Sequence, residues 1–369
     1  MSSLYKLSKK LFINILLILI SIIILELVLG DWFKENSFGN LLRSHKDKKV
    51  NYTIKFGPKT FKYEYKRNQY GFREDNFNPE EVKIIFLGGS TGNEAFLPYE
   101  LTIVGKLNSY LKKKNLPKIY NASVDGHSSV GFINNFYKWF PKINKLKPKI
   151  YIIYMGINER YYLEKNPNII FKNKSAKIDI DDFELLEAQT KKKRIVDYLK
   201  NNSFLIKKGK IVQLKYFPKE INTNYDDDKF FPGYNFNQNK DIKFLNNQEI
   251  NRKFKDIVIN KIEENYLKSL YERMEILTEV IKKNDAIPIY INQIMISGQN
   301  RNLYLTNRKI EEYCNKNNIY FINLASKLKH MDITDFYDSI HTTDTGSEKI
   351  SNLLKNDLER IIKKVFDKT

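Results

Sequence analysis

The sequence predicts an α/β protein: a three-layer αβα sandwich around a five-stranded parallel sheet, preceded by an N-terminal transmembrane helix. Three observations predict it. Short runs rich in Ile, Tyr and Phe recur at 82–87, 118–122, 150–155, 287–292 and 319–324, each bounded by Pro, Gly or Asn. Helical patterns at 94–113, 129–140, 250–283, 303–317 and 346–365 lie between or after them. Strands alternating with helices pair in parallel and carry helices on both faces. Finally, Leu11–Leu29 is almost wholly Leu, Ile, Val and Phe, the length of one bilayer crossing.

The elements follow in order. Lys6, Lys9 and Lys10 precede the apolar run, which as a helix spans about 28 Å against a hydrocarbon core of about 30 Å. It is long for a cleaved signal peptide, and no small-x-small pattern precedes Gly30-Asp31-Trp32. No Cys follows, which excludes a lipoprotein signal. Residues 1–30 are therefore read as an uncleaved single-pass anchor. The basic amino terminus places the remainder outside the cytoplasm. Lys34, Arg43, Lys46, Lys48 and Lys49 weaken that asymmetry, but a long globular part translocates largely regardless of them. Residues 31–80 read as a polar, aromatic-rich connector ending near Asn68-Gln69-Tyr70-Gly71-Phe72-Arg73, and 81–369 as the main domain. Within it, about 160–249 breaks the alternation. Such length without clear periodicity marks an insertion, and its Phe and Tyr content favours a small cap over a site.

Composition narrows the classes. A hydrophobic fraction of 42% supports a substantial core and excludes wholesale disorder. The net charge of +20 is spread along a chain rich in Lys, Asn and Ile, without a nucleic-acid motif. It is therefore read as compositional bias, with no nucleic-acid partner. A single cysteine, Cys314, excludes an intrachain disulfide and a Cys-based metal cluster. It falls in a helical pattern and reads as a packing residue. Four histidines, His45, His127, His330 and His341, make the search for a base short.

Chemistry concentrates at strand ends. The first strand stops at Gly88-Gly89-Ser90-Thr91, a strand-to-helix turn that places a serine at the carboxyl edge of the sheet, where open α/β folds bind ligands. Alone, this is also an ordinary βα turn. After the second strand comes Asn121-Ala122-Ser123-Val124-Asp125-Gly126-His127, after the third Gly156-Ile157-Asn158-Glu159, and after the fifth Asp338-Ser339-Ile340-His341. These four segments, in this order, resemble the blocks of the SGNH (GDSL-type) hydrolases over about 82–160 and 287–365. The resemblance implies a flavodoxin-like sandwich, Ser90 as nucleophile, His341 as base and Asp338 as its orienting acid. It nominates the Ser90 N–H, the Gly126 N–H and the Asn158 side-chain amide as the oxyanion hole, with neither metal nor cofactor.

The residue types agree. A serine hydroxyl needs a base to take its proton, imidazole titrates near neutrality, and a carboxylate three positions away can fix its tautomer. The sequence departs from the family pattern at Gly89, where the family has Asp, and at Glu159, where the Gly-x-Asn-Asp block has Asp. Gly88-x-Ser90-x-Gly92 also fits the nucleophile elbow of α/β-hydrolases, but their acid usually lies far from the histidine. Each residue has a plainer reading too: Asp338 as a helix cap, Asn158 as a turn residue, His127 as a solvated loop residue, and His45 and His330 as surface residues. A paired-carboxylate site of Glu94 and Glu159 is disfavoured. Taken jointly, the four segments imply a membrane-anchored serine esterase or acyltransferase acting on O-acyl, chiefly acetyl, groups. The substrate expected outside the cytoplasm is an envelope polysaccharide or glycolipid. The alternative is an inactive SGNH-fold glycan-binding or polysaccharide-assembly protein, resting on Gly89.

Overall fold

The structure is a computed structural model that describes residues 2–33, 44–56, 59–159, 191–217, 219–221, 244–327 and 331–367. In order, its elements begin with α1 (Ser2–Leu29), β1 (Lys49–Phe56), β2 (Lys59–Lys66), β3 (Ile84–Gly88), α2 (Ser90–Asn93) and α3 (Ile103–Lys113). Next come β4 (Ile119–Asn121), α4 (Ser129–Asn134), β5 (Ile150–Tyr154), α5 (Lys191–Asn202), α6 (Phe204–Tyr216) and β6 (Lys219–Ile221). The chain finishes with α7 (Asn247–Lys253), α8 (Lys261–Lys283), β7 (Ile287–Ile291), α9 (Arg301–Lys316), β8 (Tyr320–Ile322) and α10 (Asp344–Phe366). It divides into two compact units, Met1–Asn36 with Ala188–Pro218, and Ser37–Glu187 with Lys219–Thr369.

The larger unit is built on the expected sheet. Five parallel strands lie in the order β4-β3-β5-β7-β8. Successive side chains of a strand point to opposite faces, so each apolar run supplies two cores. Ile84, Phe86, Ile152 and Ile291 pack with Leu107 of α3 and Leu354 and Leu358 of α10. Ile85, Leu87, Ile153 and Tyr290 pack on the other face with Phe132 of α4, Leu270 and Met274 of α8 and Ile310 of α9. All of these side chains are buried, each contributing about 1.5–3 kcal/mol relative to exposure. The result is a doubly wound αβα sandwich. Its strand order reverses at β3, which is flanked by the next two strands of the chain, β4 and β5, so the crevice beyond β3 and β5 is the expected ligand position.

Three helices differ from the periodicity. The four-residue α2 ends just before the expected 94–113 helix, which becomes a 3-10 turn at Tyr99–Leu101 and then α3. Glu94 sits at φ 46°, in the left-handed region that ends a helix, and the Thr102 side chain caps α3 by accepting from the Gly105 N–H. The 129–140 pattern is helical throughout but changes type, α4 giving way to a π turn at Asn135–Trp139 and then a 3-10 turn that carries Pro141 in its first turn. The 250–283 pattern is two helices, each opened by a capping box, Asn246/Glu249 and Asn260/Glu263.

The stretch 31–80, expected as a connector, contains the β1/β2 hairpin, and β6 from the expected insertion pairs with β1 in parallel. The hairpin was legible. Val50, Tyr52 and Ile54 alternate on one side of Gly57-Pro58, and Phe61, Tyr63 and Tyr65 on the other, and they meet as cross-strand partners. The remainder of the insertion, 160–190 and 222–243, lies outside the described residues, as does His330. In the smaller unit, α1 carries the apolar segment Ser8–Leu29, which is long and apolar enough to cross a membrane.

Candidate active site

Ser90 opens α2 directly beyond β3 and is half-buried. Its Oγ lies 2.7 Å from His341 Nε2, and His341 Nδ1 lies 2.6 Å from Asp338 Oδ2. The three residues named in the sequence thus form one continuous hydrogen-bonded chain across 251 positions. Asp338 and His341 are not on a helical turn. They sit in a loop closed by the Phe336–Thr342 bridge and by the Tyr337 N–H donating to the His341 carbonyl at 3.0 Å. Asp338 shapes that loop itself: its Oδ1 accepts from the Ile340 and His341 N–H groups at 2.8 and 2.7 Å, leaving Oδ2 for the ring. Tyr337 stacks on the imidazole at 5.5 Å and 7°. From there a row of rings runs outward, through Phe96 to Tyr52 of the hairpin.

Burial alone would lower the His341 pKa. The adjacent Asp338 carboxylate, by charge and hydrogen bond, with help from Asp125 and Glu94, overrides that and raises it above its ordinary value. Imidazolium is therefore the favoured product when the ring takes a proton.

Gly126 and Asn158 are joined through His127. Gly126 has φ 81° in a turn closed by the His127 N–H donating to the Val124 carbonyl, a position glycine fills without strain. Asn158 donates its Nδ2–H to the His127 carbonyl at 2.6 Å, and an amide carries two such hydrogens. A Cβ at residue 89 would fall 2.2 Å from that Nδ2. Gly89 is therefore what lets the Asn158 amide lie against the serine turn; a side chain there would displace it.

Glu159, the second departure, is fully buried. It accepts hydrogen bonds from the N–H and Oγ of Ser129, and forms an ion pair with Arg273 at 3.2 Å. It ties the end of β5, and so Asn158, to α4 and α8. Glu94 has different partners, namely the Ile103 N–H, Thr342 and Ser347, so the two carboxylates are not a pair. His127 is buried rather than solvated, His45 is half-buried, and Cys314 is buried within helix α9 as expected. Among the described residues, no group of His, Cys, Asp and Glu side chains is arranged to hold a metal ion.

Of the other residues that shape the site, the sequence marks the segment 68–73 without giving it a role there, and it does not single out Arg67 or Gln293. Arg73 is buried and donates to the carbonyls of Asn93, Glu94 and Leu97, clamping the far end of the Ser90 turn. Arg67 donates to Asn93 Oδ1 and to the Ser123 carbonyl. Asn68 accepts from the Tyr70 and Phe72 N–H groups, and Gly71 adopts φ 81°. Phe72 then inserts beside Trp139. The Asn-x-x-Gly-Phe-Arg segment is thus a turn that plugs one core and sets Arg73 against the carbonyls at the end of α2. Gln293, after β7, donates to Thr91 Oγ1 at 2.9 Å and accepts from the Ile157 N–H at 2.7 Å. Arg67 and Arg73 are buried, and such charges are retained only when paired, but nothing in the sequence marks their burial.

No family model and no curated protein matches the sequence. Solved structures similar to this chain include TesA, at 10% identity over 75% of this chain and 98% of that one, with a TM-score of 0.40. A variant of an acetyl xylan esterase from Geobacillus stearothermophilus is 11% identical over 76% and 96%, with a TM-score of 0.40. A GDSL-like lipase from Bacteroides thetaiotaomicron is 12% identical over 77% and 91%, with a TM-score of 0.37.

Proposed function

We propose that this chain is a membrane-anchored serine esterase of the SGNH type that cleaves or transfers O-acyl groups. The observation that carries the reading is the Ser90–His341–Asp338 chain, with bonds of 2.7 and 2.6 Å. His341 Nε2 takes the Ser90 Oγ proton as Oγ attacks the ester carbonyl. Asp338 holds the ring's tautomer and stabilises the imidazolium. The Ser90 and Gly126 N–H groups and the second Asn158 amide hydrogen receive the oxyanion, each donor contributing about 10²–10³ in turnover. His341 then returns the proton to the departing alkoxide, leaving the acyl group on Ser90. Water or a sugar hydroxyl, deprotonated by the same ring, releases it.

For substrate, the reading favours O-acetyl groups on an envelope polysaccharide or glycolipid, met by a domain held at the outer face of the membrane by α1. The rings of Tyr337, Phe96 and Tyr52 beside the imidazole suit the apolar face of a sugar. A fluorophosphonate probe and acetate release from O-acetylated oligosaccharide test it on the full chain in detergent. Wild type labels; Ser90→Ala abolishes labelling, and His341→Ala slows acetate release by about 10⁴-fold or more. Folded wild type that neither labels nor releases acetate returns the chain to a binding or assembly role.

A further inference from the structure

The smaller unit holds a carboxylate where a membrane helix would rarely keep one. Glu26 lies in the last turn of α1, four residues before Gly30. Its Oε1 accepts from Ser203 Oγ at 2.7 Å and from the Leu205 N–H at 2.9 Å. Its Oε2 accepts from the Phe204 N–H at 2.9 Å and from Trp32 Nε1 at 3.2 Å. Two of these donors are backbone groups in the first turn of α6, which otherwise lack intrahelical acceptors. The junction continues beyond α1. The Asp31 N–H donates to the Asn202 carbonyl at 2.8 Å, Lys207 pairs with Asp31, and Trp32 packs on Tyr198 of α5. A helix destined for removal as a signal peptide has no use for a carboxylate that caps a helix 177 positions away.

Helices α5 and α6 themselves are short, basic and apolar at once. Leu199, Leu205, Ile211, Val212 and Tyr216 are exposed, and Phe217 is 74% exposed. In water such a set is an unfavourable patch. Between them the sequence places Lys200, Lys207, Lys208, Lys210 and Lys215, with Asp197 the single acid of 191–217. Apolar side chains with interspersed lysines that snorkel are the composition of a helix lying in a bilayer interface. Glu26 fixes the start of α6 to the last turn of α1, at the depth where an apolar crossing ends.

We propose that α5 and α6 form an interfacial collar on the membrane end of α1, seated in the headgroup layer of an anionic bilayer and latched by Glu26. The inference rests on α1 crossing that bilayer. Its test separates the two. Full-length protein is reconstituted into phosphatidylcholine–phosphatidylglycerol vesicles with single nitroxides at Ile18→Cys, Val212→Cys, Phe217→Cys or, as an aqueous reference, Lys113→Cys; the buried Cys314 stays unlabelled. Relaxation by oxygen, which partitions into lipid, is compared with relaxation by a water-soluble nickel chelate. The collar requires positions 212 and 217 to favour oxygen several-fold over position 113, with position 18 deeper still. Adding Glu26→Ala then shifts 212 and 217 towards the chelate and leaves 18 in place. Chelate access at 212 and 217 equal to that at 113, with 18 in lipid, overturns the collar and spares the anchor. Position 18 in water, or a mature chain lacking it, removes both. Shielding of 212 and 217 from both reagents means that protein covers this face, and also overturns the proposal.

Discussion

The turn that carries Ser90 and the loop that carries His341 meet across a 2.7 Å hydrogen bond, yet they are held differently. The serine turn is gripped from outside. Arg73 holds the Asn93 and Glu94 carbonyls, Arg67 and Tyr65 bond to Asn93 Oδ1, Asn121 donates to the Gly92 carbonyl, and Gln293 to Thr91. The histidine loop mostly holds itself. Asp338 accepts two N–H groups of its own loop and Tyr337 stacks on the ring, with the Ile296 N–H to the Ser339 carbonyl as a backbone tie from elsewhere. The serine's position is thus a property of the fold, and the histidine's position is largely a property of one short segment. The division suits the proposed chemistry, because the serine must stay fixed against the oxyanion donors while the ring only trades protons.

The sharpest way to break this comparison is Asp338→Asn. An asparagine oxygen can still accept the Ile340 and His341 N–H groups, so the loop and the melting temperature change little. The ring nevertheless loses its partner for Nδ1–H, and turnover falls by about 10⁴-fold. The sign of the pH effect follows from the cause. Asp338 is the strongest group raising the His341 pKa, so the acid limb of kcat/KM, which lies above about 6.5 in wild type, moves to lower pH in the variant. A limb that stays in place would mean the carboxylate does not set the base, and a collapse in stability would mean that the loop is not self-supporting.

Arg73→Lys probes the other side. An ammonium in place of the two-pronged guanidinium cannot reach all three carbonyls, so at least one charge-assisted bond is lost in a buried place. We expect about 2–3 kcal/mol of destabilisation in denaturant titration. Turnover of a short-chain ester should fall by about 10–100-fold with KM less affected, because the serine turn is misplaced rather than the binding surface removed. Lost stability with wild-type turnover would show that the external grip is not what positions Ser90.

What could be read from the sequence divides along the same line. Strand ends, Ser90, Gly126, Asn158 and the Asp338/His341 pair are local signals: an apolar run stopped by two glycines, a glycine in a turn, two residues three apart. The five strands were legible because burial on both faces leaves continuous apolar runs. The external grip was not, because Arg73 to Asn93, Gln293 to Thr91 and Arg273 to Glu159 join distant segments, and no periodicity marks such pairs. Gly89 shows the limit best. As a departure from the family pattern it pointed to inactivity; in place, its missing Cβ makes room for the Asn158 amide.

Glu94 belongs to both loops, and gives the smallest and most discriminating effect. It ends the serine turn at φ 46°, and its carboxylate accepts from Thr342, next to His341, and from Ser347 and the Ile103 N–H. Burial lifts its pKa to about 7 against the hydrogen bonds from Ser347 and Ile103. A carboxyl with a raised folded-state pKa contributes stability fully present below its unfolded value, near 4.5, and lost as pH climbs through 7. Glu94→Gln is isosteric: its oxygen can accept the Ile103 N–H while its amide faces the two hydroxyls, and it does not ionise. The melting temperature of wild type relative to this variant should therefore decline from pH 5 to about pH 7 and level off by pH 8. Turnover should change only a few-fold, with a slight downward move of the acid limb as one of the groups raising His341 is removed. A constant difference in melting temperature across that range would mean that Glu94 stays charged throughout, and that the two loops are joined by a fixed ionic contact rather than by a carboxyl that titrates between them.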